Sequence, residues 1–420
     1  MTSDWAPSTV GEFCPFVYGK GLPARDRKQH GAVPVVSSAG VISRHDKAYV
    51  NGPGIVVGRK GTVGSLTLME KPFWPIDTAF FVRDEPSKRN LFFTYYLLKT
   101  LGLESMNTDS AVPGLNRDNA HKLCVSVPPF SVQERIGAFA KSLDHLIQNF
   151  GIQNSCLESI AQTLFRSWFV DFDPVHANVS GKEPEAMSAE LAKLFPSEFE
   201  VSELGKIPKG WIASTVGQAF EINPRRKLAK GIRAPFLDMA NVQTKGHRPE
   251  QHLDMREFGS GTKFINGDTL LARITPCLEN GKTAFVDFLK NGEVAGGSTE
   301  FIVLRSKDGR PLYWSYLLAR FEPFRKHSIK AMTGTSGRQR VDVETLMRFP
   351  FICPSDELAK AVAPLFDSLH RLIAGNTDVM LALTELRDQL LPRLILGKLH
   401  IEDAEASVAT ITSARETEPA

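Results

Sequence analysis

Apolar side chains recur at Ile136, Phe139, Leu143, Leu146, Phe150, Leu157, Ile160 and Leu164, in steps alternating between three and four, with Gln153 alone interrupting the series. A repeat of 3.5 residues, rather than 3.6, is the seam of a coiled coil. A second seam lies 226 positions further on, at Val362, Leu365, Leu369, Leu372, Asn376, Val379, Leu383, Leu386 and Leu390, and it corresponds to the first without a gap. Two long helices of equal phase, too far apart in the chain for a simple hairpin, predict an antiparallel coiled coil. At about 1.5 Å per residue, a helix of nearly forty residues reaches roughly 55 to 60 Å. Gly151 and Gly375, near the two midpoints, predict weakened or bent helices. Asn376 is a polar seam position of the kind that fixes register. Prolines precede each segment, and Ser131 and Ser355 are the expected caps.

The duplication extends beyond the helices. "WAPSTVG" at residues 5–11 returns as "WIASTVG" at residues 211–217, a shift of 206 with five of seven residues identical. Short β-rich pieces punctuated by Gly and Pro follow in each half, with Arg59 matching Arg273 at a shift of 214. Each half then has an apparent helix ("LFFTYYLLKT", "LYWSYLLAR"), a polar Gly-bearing loop ("SAVPGLNRDN", "TGTSGRQRVD") and a last strand. The unequal shifts mean that insertions separate the halves. The expected fold is α+β: two α/β-type domains, each followed by a long helix, with an internal pseudo-two-fold repeat. The boundaries read as a first domain over 1–130, a helix over 131–170, an acidic linker over 171–208, a second domain over 209–354, a helix over 355–400 and a disordered tail over 401–420.

Charge follows this division. Overall the chain carries +3, but residues 171–203 hold eight acids and two bases and residues 401–420 five acids and one base, which leaves about +13 on the rest. A basic folded part suits a polyanionic partner, and equally an ordinary solvated surface beside acidic linkers. No run approaches the roughly 18 to 20 apolar residues that span a bilayer, and the N-terminus does not read as a signal peptide. Five scattered cysteines form no C-x-x-C pair or metal-ligand spacing, so a reducing cytoplasm is the expected location and no metal is expected.

Signatures of catalysis are lacking. "ENGKT" at residues 279–283 resembles the end of a phosphate loop, but Pro276 stands where that loop needs glycine. "DFDP" at residues 171–174 pairs two carboxylates without a third ligand, and reads as a helix terminus braced by Asp171 and Asp173 and stopped by Pro174. The ten histidines sit apart in sequence. Basic residues instead gather in loops of both halves. Lys20, Arg25, Arg27 and Lys28 form one group and Arg59 and Lys60 another, with Asn116 and Arg117 in the loop before the last strand of the first half. The second half offers Arg225, Arg226, Lys227 and Lys230, then Arg273 and Lys282, then Arg338 and Arg340. Arg and Asn read base edges bidentately, and Lys and Arg hold phosphates, so these are candidate DNA contacts.

"TLFRSWFVDFDPV", "LGKIPKGWIASTVG", "ARITPCLENGK", "PFLDMANV" and "LRDQLLPRLILGKL" together resemble the specificity subunit of type I restriction–modification systems, over nearly the whole chain. The resemblance implies that each half is a target-recognition domain reading one part of a split DNA site. It also implies that the paired helices act as a ruler and dock two methyltransferase subunits, with two restriction subunits where the system restricts. S-adenosylmethionine, ATP and Mg2+ then belong to those partners, and this chain is not itself an enzyme. Two other readings stay open on sequence: a stand-alone DNA methylase or nuclease with a degenerate site, and a DNA-free scaffold joining two partners.

Overall fold

The computed structural model describes residues 5–406 except 29, 107–113, 186, 250–252, 308 and 336. The chain divides into two compact units, 1–148 with 382–420, and 149–381, so both boundaries fall inside the long helices.

The first unit opens with the strand Ala6–Thr9, which runs straight into a one-turn helix, α1 (Val10–Phe13). Thr9 and Glu12 form a reciprocal capping box there. A four-stranded antiparallel sheet follows, in the order Val17–Tyr18, Ala79–Arg83, Gly54–Gly58, Leu66–Met69. Beside it lies a sheet of Gly40–His45, Val33–Ser37 and Trp74–Pro75, the last pair parallel. Helix α2 (Leu91–Lys99), capped by Asn90, and helix α3 (Arg117–His121) lead to the last strand, Cys124–Val127, which pairs with the first. Helix α4 (Phe130–Phe169) begins directly afterwards. It starts before Ser131, so that residue lies within the helix rather than capping it; Gln133 folds back to donate to the Pro128 carbonyl.

Residues 171–208 are not an open linker. They form α5 (Asp173–Val179), α6 (Ala189–Ala192) and the hairpin Phe199–Ser202/Gly205–Pro208. Phe172, Val175, Phe195 and Ile207 turn inward and are buried, while the acids face outward, as where Glu198 meets Lys209. Interspersed apolar residues thus override the acidic composition. Asp171 and Asp173 do brace the end of α4, accepting from Arg166 and Ser167.

The second unit repeats the plan. Strand Ile212–Thr215 enters α7 (Val216–Ala219) through the capping box of Thr215 and Gln218. The four-stranded sheet runs Phe220–Ile222, Phe301–Ser306, Thr269–Ala272, Thr283–Phe285, the same order as in the first unit. Its companion sheet gains one strand, Thr262–Phe264. Then come α8 (Trp314–Arg320), α9 (Glu322–Lys330), α10 (Val343–Met347), the strand Pro350–Cys353 paired with the first, and α11 (Asp356–Ile395), capped by Ser355. The end of α4 enters an aromatic core: Phe169 packs 4.5 Å from Trp314 and 6.0 Å from Trp211, and Trp168 packs 6.4 Å from Phe366.

Within each unit α4 and α11 run antiparallel. In the first, Arg135 bonds Glu402 and Asp144 bonds Arg387; in the second, Asn154 donates to Thr377 and Trp168 meets Phe366. Both helices continue unbroken through Gly151 and Gly375. Of the seam positions, Ile136, Phe139, Leu143, Val362, Leu369, Asn376, Leu383 and Leu390 are buried, and Leu146, Leu157, Leu164 and Leu386 half-buried. Ile160, Leu365 and Leu372 face solvent instead, 47%, 36% and 52% exposed, while Ala161, Phe366 and Ile373 take the inside. A helix drifts about 20° per heptad against a 3.5 repeat, and the globular domain packs on the adjoining face, so the buried stripe moves by one position. The expected disordered tail begins as helix over 401–406, with Ile401 and Ala404 buried; residues 407–420 lie outside the described residues.

Candidate nucleic-acid interface

The repeated frame positions the basic loops. In the first unit the backbone N–H groups of Arg59 and Lys60 both donate to the Thr78 carbonyl at 3.0 Å, and Leu115 N–H donates to the Arg59 carbonyl at 2.8 Å. In the second, Arg273 N–H donates to the Glu300 carbonyl and Val341 N–H to the Arg273 carbonyl, each at 2.9 Å. The strand-end arginine of each half is thereby tied to the loop that precedes the last short helix.

What the frame carries differs between halves. In the first, the guanidiniums of Arg59 and Arg117 each lie 5.0 Å from the Tyr18 ring, which is 45% exposed. Cation–π attraction of about 0.5–1 kcal/mol per exposed contact holds such a stack; Arg117 also pairs with Asp118 at 3.3 Å and Arg59 donates to the Asp77 carbonyl at 3.1 Å. Lys20 lies 5.7 Å from the ring of Tyr49, another exposed aromatic residue. Lys28, Lys60 and Arg25 are exposed, Arg25 at the edge of ion-pair range from Asp26. In the second half, Arg273, Arg338 and Arg340 line a cleft of about 670 Å³ together with Thr333 and Thr335. Arg340 grips Glu300 through Nε and Nη2, at 2.6–3.0 Å. That hydrogen-bonded guanidinium holds the Glu300 carboxyl below its ordinary range. Arg225, Lys227 and Lys230 are exposed.

Four of the sequence candidates are tied up in holding the fold. Asn116 caps α3, accepting from the N–H groups of Asp118 and Asn119. Arg27 donates to the Leu22 carbonyl. Arg226 joins Arg305 on the fully buried Asp268, at 2.9 and 2.8 Å. Lys282 donates to the Met239 and Ala240 carbonyls. In each case the partner is a distant or backbone group that composition does not reveal.

Sequence reasoning passed over Tyr18 and Glu300. The signal for Tyr18 was an aromatic residue two positions before the basic loop at Lys20. It also left the histidines apart, whereas the structure brings His247 and His370 together on Asp287.

The chain is a duplicated domain on a shared frame, with divergent basic loops and, within each unit, antiparallel long helices. Residues 2–156 match the type I restriction modification DNA specificity domain. The chain is 26% identical over 328 residues to the type I restriction enzyme MjaIX specificity subunit of Methanocaldococcus jannaschii, covering 74% of this chain and 69% of that one. It is 23% identical over 334 residues to the HindI specificity subunit of Haemophilus influenzae, covering 68% and 71%. The solved S subunit of a type I system from M. genitalium shares the fold, with a TM-score of 0.56 at 16% identity over 93% of this chain and 96% of that one. Residues 2–156 thus carry the type I DNA specificity domain, and the chain is similar over about 70% of its length to specificity subunits of type I restriction enzymes. No helix among the described residues is long and apolar enough to cross a membrane.

Proposed function

We propose that this chain selects a bipartite site in duplex DNA, one part with each recognition domain, and docks two methyltransferase subunits along its paired helices. Restriction subunits join where the system restricts. The observation that carries this reading is one hydrogen-bonded frame holding different side chains: Arg59, Arg117 and Tyr18 in one half, Arg273, Arg340 and Glu300 in the other. Equal frames with unequal readers suit a site whose two parts differ in sequence. Arginine donates to guanine O6 and N7, and a glutamate accepts from cytosine N4, so the second half has the chemistry for a G·C pair. Adenine methylation, with its S-adenosylmethionine, and ATP- and Mg2+-dependent restriction reside in partners. The target base leaves the stack for a partner's pocket, not for this chain. The complex works in the cytoplasm, where its DNA is.

The helices set the number of unread base pairs between the two parts. About 60 Å of helix corresponds to somewhat under two turns of B-DNA at roughly 34 Å per turn.

The test is a map of methylated adenines in cells carrying this gene with its cognate methyltransferase gene. A split motif that requires this chain, and of which one part alone changes when residues 1–130 are exchanged for those of a relative, is the expected result. Identical maps with and without the expressed chain refute the reading.

A further inference from the structure

The second unit holds a cluster that DNA recognition does not use. Asp287, just past the strand Thr283–Phe285, receives two imidazoles on one oxygen: Nε2 of His247 lies 3.0 Å from Oδ2, and Nε2 of His370 lies 2.8 Å from it. The three ligand atoms all lie within 4.8 Å of one another. The other carboxylate oxygen accepts from Arg248, which also bonds Asp378 on α11. Phe285, Tyr313 and Tyr316 wall the site, with rings 4.8 Å from His370 and 5.9 and 6.0 Å from His247, respectively. Two buried polar atoms there, His247 Nδ1 and the Tyr313 hydroxyl, have no hydrogen-bond partner.

We propose that His247, Asp287 and His370 bind a divalent transition-metal ion, zinc by its chemistry, which clamps the second recognition domain to α11. Two imidazoles and a carboxylate form a common zinc set, whose fourth position a water completes. Tetrahedral ligands on bonds of about 2.0 Å stand roughly 3.3 Å apart, so the two separations from Asp287, 3.0 and 2.8 Å, need open by only about half an ångström. Arg248 takes the part of an outer partner that orients a ligating carboxylate. With Asp287 and Asp378 both near it, the cluster carries a net charge of −1 while the imidazoles are neutral, which favours a dication. The aromatic rings shield the three ligand side chains, and with Nε2 of each histidine aimed at Asp287 it is those nitrogens that would meet the ion. The first unit makes its domain-to-helix link without this set, through Tyr96, Asp144 and Arg387.

The untagged full-length chain, stripped with chelator, is titrated with Co2+ and then Zn2+. The expected result is one equivalent of Co2+ with visible ligand-field absorption, displaced by Zn2+, and a melting temperature raised by Zn2+. His370→Gln, at a half-buried helix position, should weaken binding at least tenfold while leaving the circular dichroism of the helices intact. Asp378→Asn, which spares all three ligands, should still bind one equivalent. Absence of the absorption in the wild-type chain overturns the proposal without any variant. So does equal Co2+ binding by wild type and His370→Gln. In either case the cluster is a hydrogen-bonded clasp.

Discussion

The repeated "STVG" makes a quantitative prediction at its glycine. Val10 and Val216 are fully buried, and their N–H groups donate to the Leu123 and Phe349 carbonyls, so α1 packs on α3 and α7 on α10 in the same way. A Cβ on Gly217 would stand 2.9 Å from Met347 Cβ and 3.4 Å from its carbonyl oxygen. A Cβ on Gly11 would stand 3.0 Å from His121 Cβ. Ordinary contacts begin near 3.4 Å, so α7 and α10 must separate by about half an ångström. Met347 Cβ moves only with its backbone, and no rotamer change relieves the clash. Overpacking of this kind costs about 1–3 kcal/mol, and for domains of this size each kcal/mol lowers Tm by about 2–4 °C. Gly259 is the control: nothing lies within 4 Å of its Cβ position and its φ is not left-handed. Gly259→Ala should leave stability unchanged or raise it by about 0.4–1 kcal/mol by restricting the unfolded chain. Thermal and urea unfolding of Gly217→Ala, Gly259→Ala and wild type provide the assay. In the DNA reading, displacement of α10 also shifts the adjoining Arg340 loop, so Gly217→Ala should weaken discrimination in one half-site and Gly11→Ala in the other. A Gly217→Ala variant as stable as wild type would refute the packing argument.

Four further outcomes follow from the same geometry. Removing the exposed Lys227 and Lys230 together should flatten the dependence of log K for duplex DNA on log salt by up to about 2, near 0.9 for each phosphate no longer neutralised. Lys282→Ala should lower stability and leave that slope unaltered, because its ammonium holds the Met239 and Ala240 carbonyls. Thiol labelling of the native chain should modify Cys124 and Cys156 quickly and spare Cys353 and Cys14; burial pushes the Cys14 thiol up to about 12. The Glu300 carboxyl is held below its ordinary value by Arg340, so that pair adds stability above the unfolded carboxyl pKa of about 4.3 and loses it as pH falls through the lower folded value. Arg340→Gln should therefore be less stable than wild type near neutrality, and unfolding curves collected down through pH 4 should bring the two together.

How much of this was legible in the sequence depended on the range of the interactions. The seams and the Ser355 cap were readable because a helix face and a cap are made within a few residues, whereas Ser131 fell inside α4 and the capping boxes at Thr9 and Thr215 went unread. The three shifts recovered the frame for the same reason. Arg59 matches Arg273 at 214 and Leu115 matches Val341 at 226, and the backbone bond between each pair recurs at 2.8 and 2.9 Å. What sequence could not supply was the partner of a side chain. Arg225 and Arg226 are neighbours of one type, yet one is exposed and the other is paired with Asp268, 42 positions away. His247 and His370 stand 123 positions apart and meet only because Asp287 and α11 bring them together. The acidic stretch 171–208 misled for a related reason: its net charge concealed Phe172 and Phe195, which pack against Trp211. Duplication then sharpens the functional argument. Where the halves agree, at the capped glycine turn, the strand-end arginine and the helix seam, the agreement is in backbone bonds and buried contacts. At Tyr18 against Glu300 and Arg117 against Arg340, the difference lies in exposed and half-buried side chains set on that shared backbone. A fold that keeps its frame and varies such side chains can change the loops of one half without disturbing the other.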